Sequence, residues 1–347
     1  MSLAREQPGM EPLPLEMVAC PLCASRACTE LFRQRDLAFG TPGEFALSRC
    51  DKCGLLYKNP RVRGDALDRI YPDHYAAHTR EPELSRTLRD MGPSVHWLLA
   101  RRLGYRHLDT GAFTLRDKAR ALLAPGRVLE AFPPWHGRGR LLDVGCASGK
   151  FLRQMSAVGW EVSGIEIDAA AAARARAVTP WIVEGDPATV TLPPASVDVV
   201  TAFHVLEHVP DPLGALRNVL RWLAPGGLAI VEVPNVAGIG GALFGRYWSG
   251  LDFPRHLVHF TPATMTAMVE RAGGRVLRSA HRTKPRYVWR SVIPWLRERS
   301  DPPSRLARAF LTGRAGRGLV KLGLELTMPL ARPLRRGEAV RYFITHA

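Results

Sequence analysis

Long apolar runs are missing from this chain. None of its 347 residues falls in a wholly apolar stretch of 18, so no membrane-spanning helix is expected. The opening segment, MSLAREQPGMEPLPLEM, has neither an apolar core nor an Arg-rich amphipathic pattern, so no export or transit signal is expected and the protein is read as cytoplasmic. Cysteine is nearly absent beyond residue 53, where only Cys146 remains. With no export signal, a disulfide framework is not expected. Lysine is scarce as well. Only 6 of the 48 basic residues are lysine, so part of the +16 net charge reflects a preference for arginine. What is present is ordinary: 46% apolar and 23% charged residues exclude wholesale disorder, and the length allows two domains or one large domain with additions.

The charge is unevenly placed. Residues 1–60 carry 7 basic and 7 acidic side chains, and residues 141–275 carry 10 and 12. Residues 276–347 carry 16 and 4, so the tail alone contributes +12. One basic region points to an anionic partner, lipid or nucleic acid.

The remaining cysteines crowd together. Cys20-Pro-Leu-Cys23 and Cys50-Asp-Lys-Cys53-Gly54 are separated by 26 residues. A two-residue gap lets both sulfurs of one turn face the same ion, and Zn²⁺ takes four tetrahedral thiolates well. Cys20, Cys23, Cys50 and Cys53 are therefore the expected ligands of one structural Zn²⁺, with Cys28 a bystander. A neutral ribbon argues against a phosphate-backbone role, so residues 1–60 are read as a structural zinc ribbon.

Residues 61–137 read as a helical connector, with amphipathic spacing at Val95–Leu103 and Thr114–Leu123, then a linker rich in Pro and Gly. Arg140–Val144 follows as an apolar strand, Gly145–Gly149 as a small-residue loop, and a helix after it. The second strand ends at Glu166, 23 residues after Asp143. An acid at that tip is placed to accept hydrogen bonds from both ribose hydroxyls of a nucleoside. The loop is neither G-x-G-x-x-G nor G-x-x-x-x-G-K-[ST], so a dinucleotide and NTP hydrolysis are both disfavoured.

With LLDVGCASG the chain resembles the class I S-adenosylmethionine-dependent methyltransferases, whose first motif is similar to Asp-x-Gly-x-Gly-x-Gly; Ala147 replaces the middle glycine. The resemblance implies a Rossmann-like seven-stranded α/β sheet over residues 138–347, behind the N-terminal zinc ribbon. It implies S-adenosylmethionine as cofactor, with Asp143, Gly145 and Gly149 along its methionine part and Glu166 on the ribose. Asp186, after Trp181–Gly185, would stand beside the adenine amino group. Ser196–Val200 looks like the fourth strand, and Pro225–Gly227 like the turn before a fifth at Leu228–Val233.

Methyl transfer needs an aligned nucleophile and removal of its proton. Two histidine-bearing segments offer the base. His204, Glu207 and His208 follow the fourth strand, where open α/β sheets place ligands, and His256 and His259 lie on an expected loop before the helix that Thr261-Pro262 starts. A sixth strand is expected at Arg275–Ala280 and a last one at Ala339–Thr345. Between them, about 282–338 is a basic insert whose apolar stretch Gly318–Leu334 is read as packed over the domain or laid on an anionic membrane. The leading function is methylation of a small-molecule acceptor: a sugar, a lipid or a secondary-metabolite intermediate. The alternatives are an RNA methyltransferase, disfavoured by the neutral ribbon and the lack of an Asn-Pro-Pro-Tyr-type motif, and a cofactor-binding, membrane-associated protein without turnover.

Overall fold

Residues 15–62 form small antiparallel strands around the two cysteine turns. In the computed structural model these are β1 (Leu15–Glu16), β2 (Cys28–Gln34), β3 (Phe45–Cys50), β4 (Leu56–Lys58) and β5 (Arg61–Val62). The structure describes residues 12–71, 86–123 except 110, 129–299 and 334–347, with scattered positions between 301 and 323; for 86–91 and 123 the backbone alone is described. Next come β6 (Arg140–Val144), β7 (Glu161–Glu166), β8 (Ile182–Glu184), β9 (Val197–Phe203), β10 (Leu223–Pro234), β11 (Val258–His259), β12 (Gly274–Arg282) and β13 (Ala339–His346).

Seven strands form one sheet in the order β12-β13-β10-β9-β6-β7-β8, the Rossmann-like arrangement of an α/β domain. β6 pairs in parallel with both β7 and β9, and β7 with β8. β6 and β9 are buried almost throughout, as parallel strands covered on both faces must be. The chain divides into two units, and β10 and β13 each have residues in both. One unit comprises His74–Phe203, Gly214–Ile230 and Ile344–Ala347. Its helix Arg86–Leu103 is followed by Tyr105, which is fully buried, receives a hydrogen bond from the Trp160 indole and donates one to the Pro133 carbonyl.

The other unit comprises Met1–Asp73, His204–Leu213 and Val231–Phe343. Its ribbon sheet has the order β11-β4-β3-β2. His259 is therefore on a short strand paired with β4, where a loop was expected. The ribbon does not bury its apolar face alone. Phe45, Leu47 and Val62 share a core with Phe244, Trp248, Phe253 and Tyr287. Two other expectations change. No separate turn precedes the fifth strand, because β10 runs from Leu223 through Pro225–Gly227. A helix at Pro285–Arg297, opened by a proline in its first turn, occupies the start of the basic insert. Apart from single positions, Gly318–Leu334 lies outside the described residues.

Arg255 ties this unit together. Its guanidinium has no access to solvent, yet it reaches Asp36 through Nη1 at 2.7 Å and Nη2 at 2.9 Å. The same Nη2 lies 2.8 Å from Asp252, and the Ile70 and Phe253 carbonyls accept further hydrogen bonds. Burial alone would raise both carboxyls; Arg255 outweighs it, lowering Asp36 and holding Asp252 down at about 2. Both acids ionise more readily folded than unfolded. Their contribution is therefore present above about pH 4 and is lost as pH falls toward about 2. Arg255→Met leaves the buried Asp36 and the half-buried Asp252 unmatched and should destabilise this unit by about 3–5 kcal/mol in denaturant unfolding, with the deficit shrinking in acid as the carboxyls protonate. A stability matching the parent's at neutral pH would show that the network is not holding the unit.

Candidate functional site

Asp143 sits in register between Gly164 of β7 and Thr201 of β9. That register lets the Thr201 hydroxyl donate to its carboxylate at 2.6 Å. Burial, with Glu166 nearby, raises Asp143 to about 7. The loop after β6 turns through left-handed conformations at Gly145, Ala147 and Gly149, with φ of 69°, 48° and 81°. Ala147 thus adopts the backbone for which glycine serves best, at a cost of roughly 1 kcal/mol. Glu166 at the tip of β7 compensates. One oxygen accepts the Ala147 N–H at 2.7 Å, and the other accepts the Asp168 N–H at 3.0 Å. Gly164 is required where it stands, because a Cβ there would lie 2.6 Å from the Cys146 sulfur. Asp186 lies beyond β8, half-buried, and accepts from the Ala188 N–H.

The four ribbon cysteines converge. Cys20 and Cys53 sulfurs are 3.5 Å apart, as are those of Cys23 and Cys50, and all four lie within 4.8 Å of one another. A Zn²⁺ with four sulfurs at about 2.3 Å needs sulfur separations of about 3.8 Å, so the cage fits that ion. Cys28 stays outside it, pairing in register with Cys50 and accepting from the Asn59 amide.

The histidine segments meet within the same unit as the ribbon. His204, at φ 59°, places Nδ1 at 3.2 Å from Glu207 and Nε2 at 3.3 Å from Glu232. The second approach is at ion-pair distance without hydrogen-bond geometry, so Nε2 makes no hydrogen bond. Burial would depress His204, and the two carboxylates outweigh it and raise it above the ordinary imidazole range. Glu232 is matched in turn by Lys284 at 2.7 Å and Arg341 at 2.8 Å. Glu207, His208 and His256 bring one polar atom each within 4.8 Å. His208 contacts the Tyr71 hydroxyl at 2.9 Å, and burial with His256 nearby lowers it to about 4. The His256 Nδ1 lies 2.8 Å from the Gly250 carbonyl, which fixes that nitrogen as the donor, and burial lowers this histidine too. The His259 ring centroid lies 6.2 Å from that of His256 and is stacked 6.5 Å from Phe253; its Nε2 is buried and makes no hydrogen bond, and burial pushes it far down.

A family model described as "Methyltransferase domain" matches residues 115–279. A protein of Mycolicibacterium smegmatis named "Probable S-adenosylmethionine-dependent methyltransferase" is 33% identical over 141 residues, covering 39% of this chain and 52% of that protein. "Ubiquinone biosynthesis O-methyltransferase" of Paracidovorax citrulli is 36% identical over 115 residues, covering 31% of this chain and 48% of the relative. The protein of the same name in Xanthomonas euvesicatoria is 29% identical over 147 residues, with 39% and 62% covered. This chain is similar over residues 115–279 to the methyltransferase domain family, and relatives named as S-adenosylmethionine-dependent share the likeness. The chain spans between about half and three-fifths of the length of these relatives.

Of the residues read from the sequence, the structure groups His204, Glu207, His208 and His256, and His259 packs its ring against His256. Sequence reading missed Glu232, Lys284 and Arg341. The signal for Glu232 was available, since a lone carboxylate interrupts the apolar run Leu228–Val233. The cations lie far along the chain, and no local pattern marks them.

The sulfur cage makes a direct prediction. Purified protein should hold about one zinc per chain, and Cys50→Ser should lose it while leaving Cys28 chemistry unchanged. Stripping the metal should lower the melting temperature by about 5 °C or more. Protein without zinc and with an unaltered melting curve would refute the assignment.

Proposed function

We propose that the chain transfers the methyl group of S-adenosylmethionine to a hydroxyl of a small-molecule acceptor: a sugar, a lipid or a secondary-metabolite intermediate. The observation that carries the reading is the Glu166 carboxylate, buried at the carboxyl end of β7 and gripping the loop after β6 through the Ala147 N–H. A carboxylate has about four acceptor positions, and backbone N–H groups take two here, leaving capacity for the ribose hydroxyls. Asp143, Gly145 and Gly149 would hold the methionine part, and Asp186 the adenine. The cofactor supplies a methyl group already activated by a sulfonium. The protein has only to bind, orient and take a proton. The relatives named as ubiquinone biosynthesis O-methyltransferases favour an oxygen acceptor.

In this reading His204 is the base. It follows directly after Phe203, the last residue of β9, and three residues after Thr201, which holds Asp143. Glu207 keeps the proton on Nδ1, which leaves Nε2 as the acceptor. Glu232, kept ionised by Lys284 and Arg341, sits beside Nε2 and favours the imidazolium that forms. His208 and His256 are both depressed, chiefly by burial, so they are weaker bases.

Two measurements test this. Glu166→Ala should weaken cofactor binding in calorimetry by about 1.5–3 kcal/mol, through lost charge-assisted hydrogen bonds and a loosened Ala147 loop. An unchanged affinity would place the nucleoside elsewhere. With an acceptor found by screening extracts against labelled cofactor, turnover should fall as pH drops through a value above 6.5, since the base must be neutral. Glu207→Gln removes a charge that raises His204, so this limb should move to lower pH, with turnover reduced about tenfold. A profile that stays in place would remove His204 and Glu207 from the proton transfer.

A further inference from the structure

The helix Pro285–Arg297 has two unlike faces. Tyr287, Val288, Ser291 and Leu296 are buried, and Val292 and Trp295 pack against the same core. That row repeats every three or four residues and seats the helix on Phe244, Trp248 and Phe253. The opposite row is Arg286, Trp289, Arg290, Ile293 and Arg297. Arg286 and Arg290 are exposed; Trp289, Ile293 and Arg297 are half-buried. A surface helix ordinarily turns its polar residues outward. This one turns out arginine mixed with tryptophan and isoleucine.

The surroundings extend the pattern. The helix Ile239–Phe244 lies alongside, joined by Phe244 against Trp295 with ring centroids 5.8 Å apart, and it leaves Leu243 at 61% exposure. Arg299 is exposed and stands 4.0 Å over the Trp295 ring. Glu298 is the only acid between residues 285 and 299. Arg282 and Lys284 lie within 4 Å of Glu232, so they are not counted in the surface charge.

We propose that the outward face of Pro285–Arg297 is a docking surface for a lipid bilayer leaflet that carries anionic headgroups. Charge complementarity supplies the attraction, because arginines on one face meet lipid phosphates. The apolar members choose the partner. Tryptophan settles at the headgroup level, and Ile293 gains by leaving water for the acyl boundary. A nucleic acid would use the arginines and leave the aliphatic side chains wet. The inner face is already packed into the protein, so the contact is shallow and reversible and does not resemble an inserted helix. This inference is independent of which acceptor is methylated.

The test uses the full chain and co-sedimentation with vesicles of phosphatidylcholine alone or mixed with phosphatidylglycerol. The protein should pellet with the anionic vesicles at low salt, and raising salt several-fold should release it. Arg286→Glu with Arg290→Glu and Arg297→Glu should reduce partitioning at least about tenfold. Trp289→Ser with Ile293→Ser keeps every charge and should still reduce it by about fivefold. Matching circular dichroism and zinc content show that each variant is folded. Absence of wild-type binding to anionic vesicles overturns the proposal. So does equal binding by the Trp289/Ile293 variant, which would leave simple charge attraction. Binding of a short RNA at low salt with no vesicle binding would assign the face to nucleic acid and also overturn it.

Discussion

A guanidinium shut away from water must be matched by carboxylates, and Arg255 imposes that demand on the whole of its unit. It draws Asp36 from the ribbon and Asp252 from the segment before it into one buried group. The backbone around it is fixed as a consequence. Its own carbonyl lies 3.2 Å from His208, and Asp252 lies 3.9 Å from His256. An error in the ion pair would therefore be an error in the histidines. Burying such charges gains little net stability over apolar packing, but removing one partner is costly. The network thus acts chiefly to exclude other arrangements of the ribbon and the histidine segments.

The same constraint recurs at His204. Two carboxylates, Glu207 and Glu232, are nearly free of solvent, and each must find positive charge. Glu232 takes Lys284 and Arg341, while Glu207 takes His204 and leaves one oxygen without a hydrogen bond. The imidazole between them is raised while its neighbours His208 and His256 are lowered. Three chemically similar side chains are thereby set apart by environment, which is how one histidine of a cluster becomes suited to accept a proton.

The zinc ribbon has a comparable dependence. A chain of about sixty residues buries too little apolar surface for a firm core, and four thiolates on one ion would make up part of the deficit. The rest comes from sharing. Phe45, Leu47 and Val62 of the ribbon pack with Phe244, Trp248, Phe253 and Tyr287, and β11 adds a strand to the ribbon sheet. The ribbon is accordingly part of the unit that holds the histidines.

Local pattern was enough for much of this. Cysteine spacing, the strand–loop–helix of Arg140–Phe151 and the acid at the end of β7 are short-range signals, because each depends on residues that are neighbours in a turn or strand. So were the amphipathic helices and the capping pair Thr261-Pro262, which the structure shows as a full capping box with Thr264. Only the tertiary structure decided that Glu232, Lys284 and Arg341 surround His204, that Asp36 answers Arg255, and that His259 belongs to a strand of the ribbon sheet. Those contacts join residues from 28 to more than 200 positions apart. Their partners are chosen by which charges are left uncompensated when the core closes, and a sequence read along its length carries no record of that choice.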